Sequence, residues 1–309
     1  MHMHPSVRSA VLLVLLILAA CTPPAPKQKD FASVDEAVQA LLDAAKTGDT
    51  KALLEMLGQD AKPLIESGDA VQDQNARALF VSEYESLHSI SSNPDDGLMT
   101  LQVGKDDWPF PFPLVQESGR WHYDSGVGID EVINRRVGRN ELETVQSCLA
   151  YVDAQREYYL LNPEKDPLLH YARRLLSTPD HKDGLYWSVA EGEEPSPLGE
   201  EFAKARSEGY FKDANPRSEP FHGYLYRSLE AQGSHADGGK YEYVAHDRMI
   251  GGFALVAYPA EYGTSGVMTF IVSHKGVVYS KDLGADTARI AGEMAVFDPD
   301  ATWKREDAD

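Results

Sequence analysis

The chain has 309 residues, 42% of them hydrophobic and 25% charged, and a formal charge of −20 at pH 7. So acidic a surface repels phosphate backbones and anionic lipid headgroups, which argues against nucleic acid as a partner and against electrostatic adsorption to a membrane. The cysteines are Cys21 and Cys148 alone, too few for a disulfide framework, so the fold is expected to rest on its hydrophobic core.

In chain order, Arg8 gives a positive flank, residues 10–20 form an unbroken apolar run ending Leu18-Ala19-Ala20, and Cys21 follows at once. This resembles the bacterial lipobox. Small residues at 19 and 20 fit a peptidase pocket, and the Cys21 thiol takes a diacylglycerol before cleavage. The run is about half of the roughly 20 residues that span a bilayer, so residues 1–20 read as a removable signal. Removing them takes Arg8 away and moves the formal charge from −20 to −21. Residues 21–30, with the sequence TPPAPKQKD after the cysteine, then read as an anchor and extended tether. Thr22 stands where an aspartate signals inner-membrane retention in many Gram-negative lipoproteins, so the resemblance implies an outer-membrane anchor facing the periplasm.

Residues 31–125 read as a first α+β domain. Ser33 with Glu36 predicts a capping box, and Val34, Val38, Leu41, Leu42 and Ala45 recur at helical spacing until Thr47-Gly48-Asp49. A short helix carries Leu53, Leu54 and Leu57. A third, over 75–87, shows Ala76, Leu79, Phe80, Tyr84 and Leu87 on one face. Strands are predicted at 98–103, 110–115 and 120–124, the last two joined by Glu117-Ser118-Gly119. Helices followed by a curved antiparallel sheet resemble the NTF2-like cone fold, which implies a pocket at the open end of the sheet.

Residues 126–309 read as a second α+β domain. Residues 128–160 predict a long helix with Ile129, Val132, Ile133, Leu142, Val145, Leu149 and Val152 as its apolar stripe and Gly138 as a break. Cys148 falls among apolar positions of that helix and reads as a buried, inert thiol. Helices are predicted at 167–176, 198–208 and 285–294, and strands at 223–229, 253–258, 267–272 and 277–280, with His274-Lys275-Gly276 turning the last pair. A long helix packed on an antiparallel sheet resembles the globular part of type IV pilins, which implies a pilus or secretion accessory role. The apolar pilin N-terminal helix and the prepilin cleavage site are missing.

Six stretches, DDWPFPFPLV, INRRVGRNEL, STPDHKDGLYW, SPLG, MIGGFALVAYPAEYGTSGVMTF and VVYSKDLG, together resemble the bacterial envelope family known as domain of unknown function 2950. That resemblance covers nearly all of residues 31–305. It implies an architecture and supplies no mechanism.

The chain holds no G-x-S-x-G, since Gly263-Thr264-Ser265-Gly266 reads as a turn, and no H-E-x-x-H. His2 and His4 leave with the signal, while His122 and His274 read as surface residues. Asp106 and Asp107 beside Trp108 are the one carboxylate pair that could supply a base, set against a solvated turn. Trp108, Phe110 and Phe112 alternate with Pro109, Pro111 and Pro113. They read either as a core or edge strand or as a groove for a ligand or partner. Residues 162–166 are the candidate calcium loop, and Pro163, Lys165 and Pro167 disturb the ligand spacing such a loop needs. Arg135, Arg136 and Arg139 sit near Glu131, Glu141 and Glu143 and are expected to pair within the chain. The expectation is a two-domain α+β envelope protein, lipid-anchored at Cys21, that works as a non-enzymatic binding or assembly module on an envelope protein or small ligand. It uses no metal and no cofactor. The alternatives are a small-molecule hydrolase or isomerase using a pocket in the first domain, or a pilus or secretion accessory protein.

Overall fold

The computed structural model describes residues 28–306 apart from 93–96, 127, 191 and 212–218. Caps set the first elements. The Ser33 hydroxyl accepts the Glu36 amide at 3.1 Å, Glu36 accepts the Ala32 amide at 2.9 Å, and α1 (Val34–Thr47) runs from there to Gly48, left-handed at φ 65°. Asp49 caps α2 (Thr50–Leu57) through the Ala52 amide at 3.0 Å. The short α3 (Lys62–Ile65) follows, and Asp69 caps α4 (Ala70–Ser86). The predicted third helix thus begins five residues early, because its cap lies upstream of its apolar stripe.

A five-stranded antiparallel sheet comes next: β1 (His88–Ser92), β2 (Met99–Val103), β3 (Trp108–Pro109), β4 (Leu114–Glu117) and β5 (Arg120–Tyr123). The order is β1-β2-β4-β5, with β3 paired to β2. Strand β1, HSISS, was not legible because an edge strand of polar residues carries no apolar alternation. Ser118 and Gly119 both have positive φ, the tight-hairpin geometry that joins β4 to β5. Phe31, Val38, Leu41, Met56, Leu101, Leu114 and Tyr123 form the core between helices and sheet, each large side chain contributing about 1.5–3 kcal/mol on burial.

Helix α5 (Ile129–Leu161) runs 33 residues without a break at Gly138, where the helix geometry is satisfied and an added Cβ would meet open space. After it come β6 (Arg174–Leu176) and β7 (Gly184–Tyr186), a parallel pair, and α6 (Gly199–Glu208). The helix expected over 167–176 is absent: Pro167 and Asp166 hold an irregular turn, Leu168 and Leu169 are exposed, and the end of the segment pairs as β6. Then follow β8 (Tyr224–Leu229), β9 (Ala231–Gln232), β10 (Tyr241–Glu242), β11 (Val244–Ala245), β12 (Arg248–Met249), β13 (Ala254–Pro259), β14 (Met268–Ser273), β15 (Val278–Asp282), α7 (Thr287–Glu293), β16 (Val296–Phe297) and β17 (Lys304–Arg305). The main sheet is antiparallel in the order β17-β15-β14-β13-β8. Helix α5 lies on β13, β14 and β15, α7 packs on β13, and β13 and β14 are buried along nearly their whole length, as strands covered on both faces must be. The fold is α+β, and its long helix packs on an antiparallel sheet. Two hydrophobic clusters result, one built from residues of the first half and one around the second sheet.

Candidate functional site

The buried face of α5 departs from the apolar stripe in the sequence. It runs Arg136, Asn140, Thr144, Cys148, Tyr151, Gln155 and Tyr158 at three- and four-residue spacing, while Leu142 is 71% exposed. Its N-terminal part is polar because it faces hydrogen-bonding groups of both halves. The Arg136 guanidinium donates to the Pro63 carbonyl at 2.8 Å and the Leu64 carbonyl at 2.5 Å, and burial lowers its pKa, with Asp73 opposing. Asn140 donates to the Ser265 carbonyl at 2.8 Å and accepts from Gln72 Nε2 at 2.8 Å.

Asp69 is the hub of this junction. Its carboxylate is 1% exposed and accepts the Gln72 amide, the Tyr210 hydroxyl and the Gly223 amide, each at 2.9 Å. The approach is close enough to require glycine at 223, where φ is +78° and a Cβ would sit 2.5 Å from Asn140 Nδ2. Burial, followed by the Asp69 charge, raises the Tyr210 pKa, so that hydroxyl stays a donor.

Tyr210 and Gly223 flank the residues of a cavity. Between α5, α6, β8 and β13 lies a space of about 440 Å³, walled by Ala150, Tyr151, Leu198, Phe202, Phe211, Phe221 and Tyr226. A row of rings runs from Tyr186, stacked on Phe202 (4.3 Å), through Phe202 stacked on Phe211 (4.9 Å) and Phe211 tilted against Phe221 (5.8 Å), to Phe221 stacked on His222 (4.0 Å). His222 closes the row with φ 49° and sits between two carboxylates, Glu208 at 2.9 Å from Nε2 and Glu143 against Nδ1. Either the imidazolium donates to both, or one carboxyl keeps the shared proton. Glu201, Glu219 and Lys204 also line it; Glu219 accepts the Phe211 amide at 3.1 Å. Burial raises the Tyr151 phenol to about 12 and the Tyr226 phenol as well, so both present neutral hydroxyls.

The residues singled out in the sequence lie elsewhere. Cys21, the signal and most of the tether fall outside the described residues. Trp108 is 43% exposed opposite Val103, whereas Phe112 is 1% exposed and Phe110 packs on Phe80 at 5.3 Å and on Phe112 at 5.5 Å. The three rings share no single groove, because the strand ends at Pro109 and the chain bends before β4, which cancels the alternation. Asp106 and Asp107 lie exposed in the turn after β2. Asn162 caps α5 and bonds Asp166, whose carboxylate pairs with Arg248. Among the described residues no group of three or more His, Cys, Asp or Glu side chains is placed to hold a metal ion. Arg135 pairs with Glu131 at 2.8 Å, as its spacing implies. Arg139 is exposed and His122 half-buried in β5. His274, read as a surface turn residue, is instead half-buried edge-on against Tyr243 and Phe253. The Gly263–Gly266 segment is a turn, with Ser265 buried beneath Asn140. His222 was missed: a histidine ahead of a strand carries no local signal, and both its partners come from other elements.

A family model described as "Protein of unknown function (DUF2950)" matches residues 28–306. No curated protein and no solved structure matches the chain.

Proposed function

We propose that this chain, which belongs to the DUF2950 family, is a lipid-anchored envelope protein that captures a small apolar ligand in the cavity between α5, α6 and β8 without acting chemically on it. The carrying observation is the aromatic row that ends at His222, whose ring nitrogens both face carboxylates. A general base needs a free lone pair within reach of the substrate proton. His222 offers none without breaking one of its pairs, whereas a concave apolar wall with a few fixed polar groups is what ligand capture requires. The cavity is lined by residues of the second half, so a pocket in the first domain has no part in this reading.

The anchoring part rests on Leu18-Ala19-Ala20-Cys21 and implies attachment to the outer membrane facing the periplasm. Cys21→Ser should abolish lipid labelling and leave the precursor uncut; mature wild-type protein without acyl mass would refute it. The capture part is tested by Ala150→Trp, which places an indole in the cavity from a half-buried helix position. The variant should melt like wild type and lose binding of a neutral apolar fluorescent dye; unchanged dye binding would remove the cavity from the argument. A second reading, a pilus or secretion accessory, draws on α5 lying along the antiparallel sheet. In that role Ala150→Trp would leave function intact.

A further inference from the structure

We infer that the ligand taken by this cavity has an apolar, aromatic-sized body and a single cationic head such as a protonated amine. The inference rests on the capture reading and adds the charge of the ligand. The body follows from the walls. Phe202, Phe211 and Phe221 line the space with aromatic carbon, which an apolar body of ring size can cover.

The head follows from the charged groups that line the cavity or hold its histidine. These are the carboxylates of Glu143, Glu201, Glu208 and Glu219 against Lys204 and His222. Even with the imidazole charged, the balance among the described residues is acidic. Two of the carboxylates are already engaged by His222, and Glu219 accepts one backbone amide. Glu201, on the first turn of α6, makes no ion pair among the described residues and stays open to an incoming cation. Further along α5, Glu157 reports the same field: after its own burial, the carboxylates of Glu194, Glu201 and Glu200 hold its pKa above the ordinary value. A carboxylate or phosphate head would have to enter against this field, with Lys204 as its only lysine partner among the described residues. An amine head gains the Glu201 carboxylate and lies beside the Glu143–His222 pair.

The test titrates the full chain with phenylbutylamine, phenylbutanol and phenylbutyrate, which share one body and differ in charge, and reads affinity by calorimetry at neutral pH. The amine should bind about fivefold tighter than the alcohol, the gain expected of a partly exposed ion pair, and the butyrate weakest. Glu201→Gln, at an exposed helix position, should shrink the ratio between amine and alcohol. Equal binding of amine and alcohol, or tightest binding of the butyrate, overturns the cationic head and leaves the apolar cavity standing. An amine preference that Glu201→Gln leaves untouched overturns the role given to that carboxylate and with it the inference. Binding of none of the three overturns the capture reading itself.

Discussion

His274 sits at the end of β14 with its ring edge-on to Tyr243 and Phe253, and its Nδ1 has no hydrogen-bond partner among the described residues. The backbone of Gly252 passes so near that a Cβ there would meet Nδ1 at 2.7 Å. Burial is the main cause of a lowered imidazole pKa, and the Lys275 charge adds to it. The unfolded chain therefore takes up the proton first. Stability from the neutral ring is complete above the ordinary value of 6.5 and is lost as pH falls through that value toward the folded one. His235 runs the other way, since its hydrogen bond to Asp298 raises its pKa and its contribution is lost as pH rises through the folded value. His274→Phe should flatten the acid-side decline, and urea midpoints from about pH 7 to about pH 5 measure it. Parallel curves for the two proteins would mean that the ring is solvated.

At the scale of elements, α5 and the start of α4 carry the junction. Asp69 joins groups 141 and 154 residues away in sequence, the Tyr210 hydroxyl and the Gly223 amide, and caps α4 as well. Asp69→Ala would strand two buried donors and one helix cap, a cost of about 3–5 kcal/mol. It should also weaken dye capture, because Tyr210 and Gly223 adjoin the cavity residues Phe211 and His222. Asp106→Ala, on an exposed turn, should fall within about 0.5 kcal/mol of wild type. Denaturant titration of both variants checks this, and a small loss for Asp69→Ala would show that water reaches the junction. The cap of α1 was legible because Ser33 and Glu36 act on amides three or four residues away. The buried face of α5 was not, because Arg136, Asn140 and Thr144 look like solvent-facing residues until their distant partners are known.

Across the whole molecule, each half keeps an apolar core of its own, and much of what passes between them is polar: Arg136 to Pro63 and Leu64, Asn140 to Gln72, Tyr210 to Asp69. Water can satisfy such groups if the halves part. We therefore expect residues 31–125 and 130–309, made separately, to give at least one fragment that melts cooperatively below the temperature of the full chain. Two disordered fragments beside a single transition in the full chain would mean that neither core is sufficient alone. Cys148 offers a second probe: burial raises its thiol to about 12, so thiol labelling should wait for the second core to open.

By itself the sequence determined what depends on near neighbours. The α+β order, the cap of α1, most strands of the second sheet and the buried thiol follow from periodicity and composition within a turn or a strand. The expected lipid anchor rests likewise on a local run, residues 10–21. Tertiary structure decided the burial of Phe112, the replacement of a predicted helix by β6, and the candidate site. His222 meets Glu208 across 14 residues and Glu143 from another helix, and Asp69 reaches Tyr210 and Gly223 across more than a hundred. A hydrogen bond between distant residues leaves no period and no spacing in the chain, because its partners are chosen by packing.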